Sequence, residues 1–482
     1  MHKELKLFLL IALVTLFYMD KGGGDMSYRY LDMTHAIVDE GRLAIDTFHT
    51  NTDDKAFYDG HYYSLAAPGL SLLSIPPYLV FKALYVFMPA RLEESINSKV
   101  RENYIGNGRF AADDPFLKIN LAQFMLSSFF IMIFTGPILA GLFGILMYRL
   151  IGRVTGDEKI RTFLALVSVL GTPVFFYSTV HHAHVATAFF AVLAFYLLYT
   201  DSPNHILAGL STGLILFFNF ALPFVALGLG IYALQKLKIK ELIFFGGAAA
   251  MPVLLLLFFN FLMFSDPLSF PHQHSFGSVM TSYHEGGFAG ITFPSMAALW
   301  GLSFSQFRGV FFYTPLLLIG LIGLFRLKRP EATSISVIFF GTLLFFAAFK
   351  GWNGAWSFGP RFLIPALSLL FYPAAVHADK IDRRVLYGLC AVSIFINWIG
   401  VLYPMVSDSY KNPIFEVYLP KLFTEGPSSH ISKYLSVLAG VPGWILLIVN
   451  IAAACMMALG IYFLVRDARE NVTSSTSKRH GR

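Results

Sequence analysis

Charged residues are scarce in this sequence, because Asp, Glu, Lys and Arg together make up only 13% of its 482 residues. Hydrophobic residues account for 56%, and the mean hydropathy is +0.62. Both values lie far from those of ordinary soluble domains. The composition excludes a soluble globular enzyme and predicts an all-α polytopic membrane protein.

Cysteine is nearly absent as well. The two cysteines, Cys390 and Cys455, fall inside apolar runs, where a disulfide framework does not form. The sequence has no internal repeat of fixed period and no low-complexity tract, which excludes solenoids and gives no support to an inverted-repeat transporter. The formal charge of +7 therefore concerns membrane topology rather than nucleic acid.

Apolar runs of membrane length, or close to it, recur along the chain. The first follows Lys3 and Lys6 and lacks a small-residue cleavage site, so we expect a retained span with a cytoplasmic N-terminus. With that first run, the others predict about twelve crossings, within a range of 12–14. They lie at 121–148, 162–178, 185–199, 206–218, 221–234, 242–264, 310–327, 334–349, 362–378, 385–404 and 443–465.

The segment 69–88 leaves the count open. It is apolar enough to span, but its Pro76-Pro77 pair interrupts helical hydrogen bonding and favours a helix-turn at the outer interface. If 69–88 does span, 121–152 must cross twice, breaking at Gly136-Pro137, for the later topology to hold.

Basic residues between the spans determine the predicted orientation. The clusters around Arg149, Lys238, Lys328 and Arg383 all fall on one side, which the positive-inside rule makes cytoplasmic. We interpret 1–482 as a single transmembrane domain with a long first extracytoplasmic loop that carries interfacial helices. The predicted outer loops are 20–118, 265–309, 350–361 and 405–442, and 466–482 is a predicted cytoplasmic tail.

One carboxylate of the first loop differs from the others by position. In "DKGGGDMSYRYLD", Asp25 follows three glycines, which let the backbone turn sharply, and it lies close to the end of the first span. The segment after it has apolar residues spaced by four, three and four, typical of an amphipathic helix on the membrane. A carboxylate at the start of such a helix is favoured in its ionised form and is a candidate general base.

The first loop resembles that of the GT-C glycosyltransferases, within them the family of aminoarabinose transferases and protein O-mannosyltransferases, which use polyprenyl-phosphate sugars. The resemblance rests on the carboxylate after span one, the "RY" helix and "FYDGHYYSLAAPGLSLLSIP". It implies a GT-C-like fold and a catalytic Asp25. The other matched positions are Arg29, Tyr30, Tyr62, Tyr63 and Pro68.

The sequence departs from the family pattern at two positions. Met26 stands at the second acidic position, and Leu65, Ala66 and Ala67 stand where a basic residue precedes the prolines. The first departure removes support for a metal role of the acidic pair. The second means that the donor phosphate needs a cation from elsewhere.

Later outer loops offer that cation. Arg308 directly precedes a span, while Lys350 and Arg361 bound a short Trp- and Gly-rich hairpin. An interfacial Arg flanked by Trp352 and Trp356 can bind a phosphate while the rings cover a prenyl chain or a sugar face. The alternative is an aromatic belt with a snorkelling arginine.

Histidines collect on two outer segments. We expect His181 and His184 of "HHAH" to bind substrate hydroxyls or phosphate at the rim of a cavity. His272, His274, His284 and Glu285 are weak candidates for a divalent metal site, because imidazole and carboxylate are suitable ligands but their spacing shows no fixed helical pair. No cofactor is assigned, and a divalent ion stays an open alternative.

The residues together predict an inverting membrane glycosyltransferase. It would take a sugar from a polyprenyl-phosphate donor and pass it to a lipid, glycan or protein hydroxyl on the outer face of the cell (inner or plasma) membrane. The alternative is a transporter or flippase of a lipid-linked glycan, which would need ionisable residues at mid-membrane depth. The predicted spans hold almost none, and this favours catalysis at one face.

Overall fold

The computed structural model describes residues 2–20, 24–403, 409–432, 436 and 440–466. For His2, Asp25 and residues 278–280 it describes the backbone alone. The tail beyond Arg466 lies outside the described residues, so its cytoplasmic placement stays a prediction.

The described chain is predominantly helical. Apolar runs form helices because a chain in lipid must satisfy its backbone polar groups internally. The helices of the first half are α1 (His2–Phe17), α2 (Asp25–His35), α3 (Gly69–Tyr85), α4 (Ala90–Gly106), α5 (Leu121–Ile133), α6 (Leu139–Ile151), α7 (Glu158–Leu170), α8 (Val174–Ser178), α9 (His184–Tyr199), α10 (His205–Phe218), α11 (Pro223–Lys236) and α12 (Ile239–Phe264).

The second half alternates short helices with long apolar ones. Its helices are α13 (Ser278–His284), α14 (Met296–Ser303), α15 (Val310–Tyr313), α16 (Leu317–Gly323), α17 (Arg329–Ser336), α18 (Thr342–Ala348), α19 (Ile364–Leu369), α20 (Phe371–Ala378), α21 (Arg383–Leu402), α22 (Leu419–Glu425) and α23 (Gly443–Arg466).

Six helical segments of the described chain are long and apolar enough to cross a membrane. This confirms a helical membrane protein, while the count of about twelve crossings stays a prediction. The six segments are Leu121–Ile151, Ile239–Phe264, Arg329–Ala348, Arg361–Ala378, Arg383–Leu402 and Gly443–Arg466.

Ion pairs join the helices at one end of the bundle. Glu4 at the start of α1 pairs with Arg149 at the end of α6 at 2.7 Å, and Lys3 pairs with Glu158 of α7 at 2.8 Å. At the opposite end of α1, the Asp20 amide donates to the Thr179 carbonyl at 2.7 Å. We call residues 179–184, which contain His181, His182 and His184, the histidine turn. The charged residues Lys3, Glu4 and Arg149 therefore lie at the opposite end of the bundle from the histidine turn.

The segment 121–151 is one continuous helical segment rather than two crossings. A π-helical turn at Phe134–Ile138 absorbs Pro137 without breaking the chain direction. Gly136 lies there against the backbone of Ser178, since a Cβ at Gly136 would come within 2.3 Å of the Ser178 carbonyl oxygen. The turn therefore lets α5 and α6 approach the histidine turn closely.

The Pro76-Pro77 pair does not interrupt the segment 69–88, because α3 continues through both prolines, and the position of the segment relative to the membrane stays a prediction. Each proline removes only one backbone donor, and packing against α2 and α5 keeps the helix intact. The height of α2 relative to the membrane stays a prediction, but its surroundings differ from those expected. Met26, Leu31 and Met33 are all buried, so α2 is enclosed by protein on several sides instead of lying on one apolar face.

A β-hairpin, which the all-α expectation did not include, interrupts the helical chain. Strands β1 (Lys55–Tyr58) and β2 (His61–Ser64) pair antiparallel. Asp59 and Gly60 join them with φ values of 49° and 84°, the positive values that a two-residue hairpin turn requires. The dipeptide Asp-Gly between alternating aromatic residues was a readable signal for it.

The predicted orientation is testable with two exposed positions. In a chain with Cys390 and Cys455 replaced, we expect a membrane-impermeant maleimide to label Glu285→Cys in intact cells and to leave Lys238→Cys unlabelled until the membrane is opened. Both side chains are exposed in the structure, so burial does not limit the reaction. Labelling at 238 but not at 285 would reverse the topology.

Candidate active site

The candidate site begins at the N-terminus of α2. Gly24 precedes the helix with φ 68°, a value that glycine adopts without strain, and its carbonyl accepts from the amides of Ser27 and Tyr28. Asp25 is thereby the first residue of the helix. Its side chain lies outside the described residues. Arg29 follows four positions later and shares its helical face.

Arg29 joins three elements. Its guanidinium pairs with the Asp54 carboxylate at 3.1 Å and donates to His182 Nε2 at 3.0 Å. It also lies 3.4 Å from the Tyr30 hydroxyl. Asp54 immediately precedes β1 and is buried. These contacts fix α2 to the hairpin and to the turn that precedes α9.

The tautomer of His182 follows from this contact. A guanidinium can only donate, so Nε2 must accept, and the proton of the neutral ring lies on Nδ1. Burial, with the nearby charges of Arg29 and Arg361, holds the pKa of His182 well below its usual range. The ring is therefore neutral and presents an N–H donor.

Arg361 lies beside Arg29 at the end of the 350–361 hairpin. The charges of Arg29 and Asp54 act on its guanidinium, and one of its terminal nitrogens contacts the Met26 sulfur, a weak acceptor. Gly354 permits the approach, since a Cβ there would lie 2.8 Å from Arg361 Nε. The structure thus brings two guanidinium groups together at the start of α2.

The remaining histidines of the turn have different surroundings. His184 stacks on His182 with ring centroids 4.1 Å apart, and its ring meets Tyr177 at 5.0 Å. His181 instead contacts two hydroxyls, Thr135 at 2.9 Å and Ser74 at 3.3 Å. We call Arg29, Arg361, Asp54, His182 and His184 the arginine cluster. His181 lies outside it and connects the histidine turn to Ser74 of α3 and to Thr135 of the π-helical turn.

Within the described part of the chain, five buried nitrogens of this cluster have no hydrogen-bond partner. They are Nε of Arg29, Nε of Arg361, Nδ1 of His182 and both ring nitrogens of His184. Four of the five are donors, because the neutral ring of His184 has one donor nitrogen and one acceptor nitrogen. Buried donors without partners are costly. Among the side chains that the structure describes, two arginines beside one carboxylate also leave an excess of positive charge. The arrangement is suited to an anion with several acceptor oxygens.

The cluster borders the surface of the protein. The Arg29 side chain is 15% exposed, and Arg361 is half-buried. This exposure belongs to other atoms of the two side chains, because the five unpartnered nitrogens are themselves buried. A ligand that bonds to those nitrogens must displace the side chains that cover them.

Arg308 donates mainly to backbone carbonyls of the 350–361 hairpin, although its charge also acts on Arg361. It is 1% exposed, and its guanidinium donates to the carbonyls of Phe307, Asn353 and Ala355 at 3.2, 2.8 and 2.9 Å. Those bonds hold the hairpin that carries Arg361. The geometry gives Arg308 a positioning role.

Replacing Arg308 by alanine is expected to destabilise the protein. Three carbonyl acceptors lose a charged donor in a buried place, so we expect the free energy of unfolding to fall by roughly 3 kcal/mol. The melting temperature of the purified protein in detergent measures the loss. Arg42→Ala is the matched control, because the Arg42 side chain is 42% exposed. Equal melting temperatures for both variants would contradict this role.

Other predicted binding residues do not join the cluster through any described contact. Tyr62 stacks on His49 at 4.2 Å, and Tyr63 meets Phe264 edge-on at 5.5 Å. Lys350 forms an exposed pair with Glu285 at 3.8 Å.

The two tryptophans of the 350–361 hairpin also differ. Trp352 packs edge-on against Phe307 at 6.1 Å and lies close to Gly301. Trp356 is 59% exposed. Trp352 therefore packs within the loop, and Trp356 is the ring available to a lipid or sugar.

The candidate metal residues are only partly brought together. His272 and His284 have ring centroids 5.2 Å apart, and both line a cavity of about 350 Å³ together with Glu285. His274 turns away to bond Ser269 at 2.7 Å. Among the described residues, no group of three His, Cys, Asp or Glu side chains is placed to hold a metal ion.

Sequence reasoning missed His182 and Asp54 as members of the cluster. "HHAH" offers three histidines, and which of them faces Arg29 depends on the turn between α8 and α9. Asp54 looked like one of many loop carboxylates. Its position next to the "DG" hairpin was the one signal that it is held in place.

Comparisons with known proteins bear on the fold. No protein-family model matches the chain, and no curated protein matches it. The structure is similar to the crystal structure of ArnT from Cupriavidus metallidurans in the apo state, with 13% identity, a TM-score of 0.49, and coverage of 96% of this chain and 75% of that chain. For ArnT bound to undecaprenyl phosphate the identity is 13%, the TM-score 0.46, and the coverage 98% and 78%.

Both TM-scores lie below 0.5. The functional proposal is therefore built on the residues of the site.

Proposed function

We propose that the protein is an integral membrane glycosyltransferase of the GT-C type. It transfers a sugar from a polyprenyl-phosphate-linked donor to a hydroxyl of a lipid, glycan or protein at the extracytoplasmic face, with inversion. One observation carries the proposal: the cluster of Arg29 and Arg361, whose buried donors have no partner among the described residues.

A phosphate monoanion or diester fits that cluster better than a carboxylate or a neutral group. Its oxygens can accept from both guanidinium groups and from the Nδ1–H of His182 at the same time. Planar guanidinium groups hold a phosphate in fixed orientation. The Asp54 carboxylate offsets one of the two positive charges, and the ligand would offset the other.

The reaction is a substitution at the anomeric carbon. The acceptor oxygen bonds to that carbon while the bond from carbon to phosphate oxygen breaks, and its electron pair leaves with the lipid phosphate. The hydroxyl proton passes to the base, for which we propose Asp25. Arg361 and Arg29 stabilise the negative charge that develops on the leaving phosphate.

Asp25 supports this assignment by its backbone position. It is the first residue of α2, where the helix end favours a carboxylate anion. Met26, the next residue, contacts Arg361, and Arg29 lies one helical turn further along. A base at Asp25 would therefore lie next to the proposed phosphate site.

The placement of charge favours catalysis over transport. A flippase needs ionisable groups along the route between the two faces. In the described ranges, the arginine cluster lies near the Asp20 end of α1, and the ion pairs of Lys3 and Glu4 lie at the other end. That separation fits chemistry at one face.

Reconstitution tests the proposal directly. The purified chain in liposomes is supplied with a panel of undecaprenyl-phosphate-linked sugars and a membrane lipid extract as acceptor, and mass spectrometry follows free undecaprenyl phosphate. We expect release from at least one donor and saturable binding of undecaprenyl phosphate. Binding that is absent, or that is unchanged when both Arg29 and Arg361 are replaced, would overturn the proposal.

A further inference from the structure

A second cavity lies at the far end of α2. It measures about 350 Å³, opens to the surface and is lined by residues of α2, α3 and α5 and of the segment after α2. His35 lies on its wall, six residues after Arg29, which places it about 9 Å further along the helix axis. The cavity is separate from the arginine cluster but on the same helix.

Asp39 is the centre of the polar wall. Its carboxylate accepts from the Tyr78 hydroxyl at 2.6 Å and from Lys82 at 2.7 Å, and it contacts His35 Nδ1 at 3.1 Å. Gln123 donates to the Tyr78 hydroxyl at 3.1 Å. Burial opposes ionisation, but the bonds from His35, Lys82 and Tyr78 prevail and lower the pKa of Asp39 to about 2.

The cavity carries no excess positive charge. Asp39 is paired with Lys82, and Glu40 is paired with Arg42 at 2.7 Å. Burial lowers the pKa of His35, which leaves its ring neutral. Each of the two carboxylates is offset by its paired cation, so this cavity attracts a phosphate less strongly than the arginine cluster does. A neutral ligand is favoured.

The lining combines planar polar groups with aromatic rings. Carboxylate, amide and hydroxyl groups come from Asp39, Gln123 and Tyr78, while Phe48 and Phe124 form a stacked pair with centroids 6.1 Å apart. Polar groups that accept and donate around an aromatic wall match the hydroxyls and the apolar face of a sugar ring. The volume lies within the range of small-molecule sites.

We propose that this cavity is a saccharide subsite that binds one neutral sugar ring of the acceptor. The assignment rests on the proposed function, because it makes a glycan the acceptor class. The phosphate of the donor occupies the arginine cluster, and the acceptor sugar occupies the opposite end of α2. The two sites can then be filled together.

Saturation-transfer NMR on the full chain in lipid nanodiscs tests the subsite. The probes are the methyl glycosides of glucose, galactose, mannose and N-acetylglucosamine. We expect at least one to bind saturably, and Gln123→Leu to weaken it about tenfold, the effect of one lost hydrogen bond to a ligand. Glu40→Ala serves as a second variant in case Gln123→Leu does not fold. Glu40 lines the cavity at an exposed position, so its replacement should also weaken glycoside binding.

Two controls separate this subsite from the donor site. Gln273→Leu makes the same change in an outer loop away from the cavity and should leave glycoside binding unchanged. Arg361→Ala should remove undecaprenyl phosphate binding and keep glycoside binding.

The outcomes are distinct. The subsite is overturned if no glycoside binds, if binding survives in both cavity variants, or if undecaprenyl-phosphate sugar displaces the glycoside. If glycosides bind as expected but undecaprenyl phosphate does not, the donor assignment fails while the saccharide site stands.

Discussion

Replacing Arg361 by alanine is expected to cut turnover of the lipid-linked donor by about 10² to 10³-fold, the usual cost of a lost donor to a developing anion. The guanidinium contacts the Met26 sulfur, the charge of Arg29 acts on it, and its buried Nε has no partner among the described residues. The leaving phosphate therefore loses a charge-assisted contact that no neighbour replaces. Initial rates measured against donor concentration give the effect.

Two further variants sharpen the result. Arg361→Lys keeps the charge but loses the planar fork, so we expect a partial loss. Arg383→Ala is the matched control at the other end of the bundle, where Arg383 pairs with Asp157 and is 63% exposed. If Arg361→Ala turns over like the parent protein, Arg361 is an interfacial anchor, and the phosphate site must be sought elsewhere.

Arg29 gives a less direct test than Arg361. Its removal would leave the buried Asp54 carboxylate without the guanidinium that it pairs with at 3.1 Å, and an uncompensated buried charge is strongly destabilising. A loss of activity in Arg29→Ala would mix a lost ligand contact with a disturbed fold. Arg361 makes no such ion pair in the described structure.

The helical architecture was predictable because it follows from long apolar runs. Those runs coincide with helices such as Ile239–Phe264 and Gly443–Arg466, since lipid leaves the backbone no other way to satisfy its polar groups. Departures arose where packing overrode local signals. Pro76 and Pro77 lie inside α3, and neighbouring helices hold it together.

The membership of the site was only partly predictable. Arg29 and Tyr30 were expected from the first-loop resemblance, and Arg361 from the need for a cation. Which of His181, His182 and His184 contacts Arg29 depends on the conformation of a short turn. Hydrophobic periodicity predicts helices and strands, but it does not predict the conformation of such a turn. The role of Arg308 was equally hard to predict. An arginine directly before a span looks the same in the sequence whether its guanidinium binds backbone carbonyls or a phosphate.

Asp25→Asn is expected to abolish transfer and to leave donor binding nearly intact. The amide keeps the shape of the side chain but cannot take the proton of the acceptor hydroxyl, and general-base catalysis typically contributes a factor of about 10² to 10⁴. Single-turnover rates with bound donor measure the chemical step. Equilibrium binding of undecaprenyl phosphate measures the affinity for the donor lipid, which should change little because the proposed phosphate site consists of Arg29 and Arg361.

Two carboxylates provide the comparison for Asp25. Asp53→Asn makes the same change at an exposed loop position and should leave the rate unchanged. Asp54→Asn removes the partner of Arg29, so we expect weaker donor binding as well as slower turnover, a pattern that a pure base would not give. A loss below about tenfold in Asp25→Asn would reject it as the base. The search would then move to Asp54 beside Arg29 or to Asp32, which accepts from Asn51 at 3.0 Å.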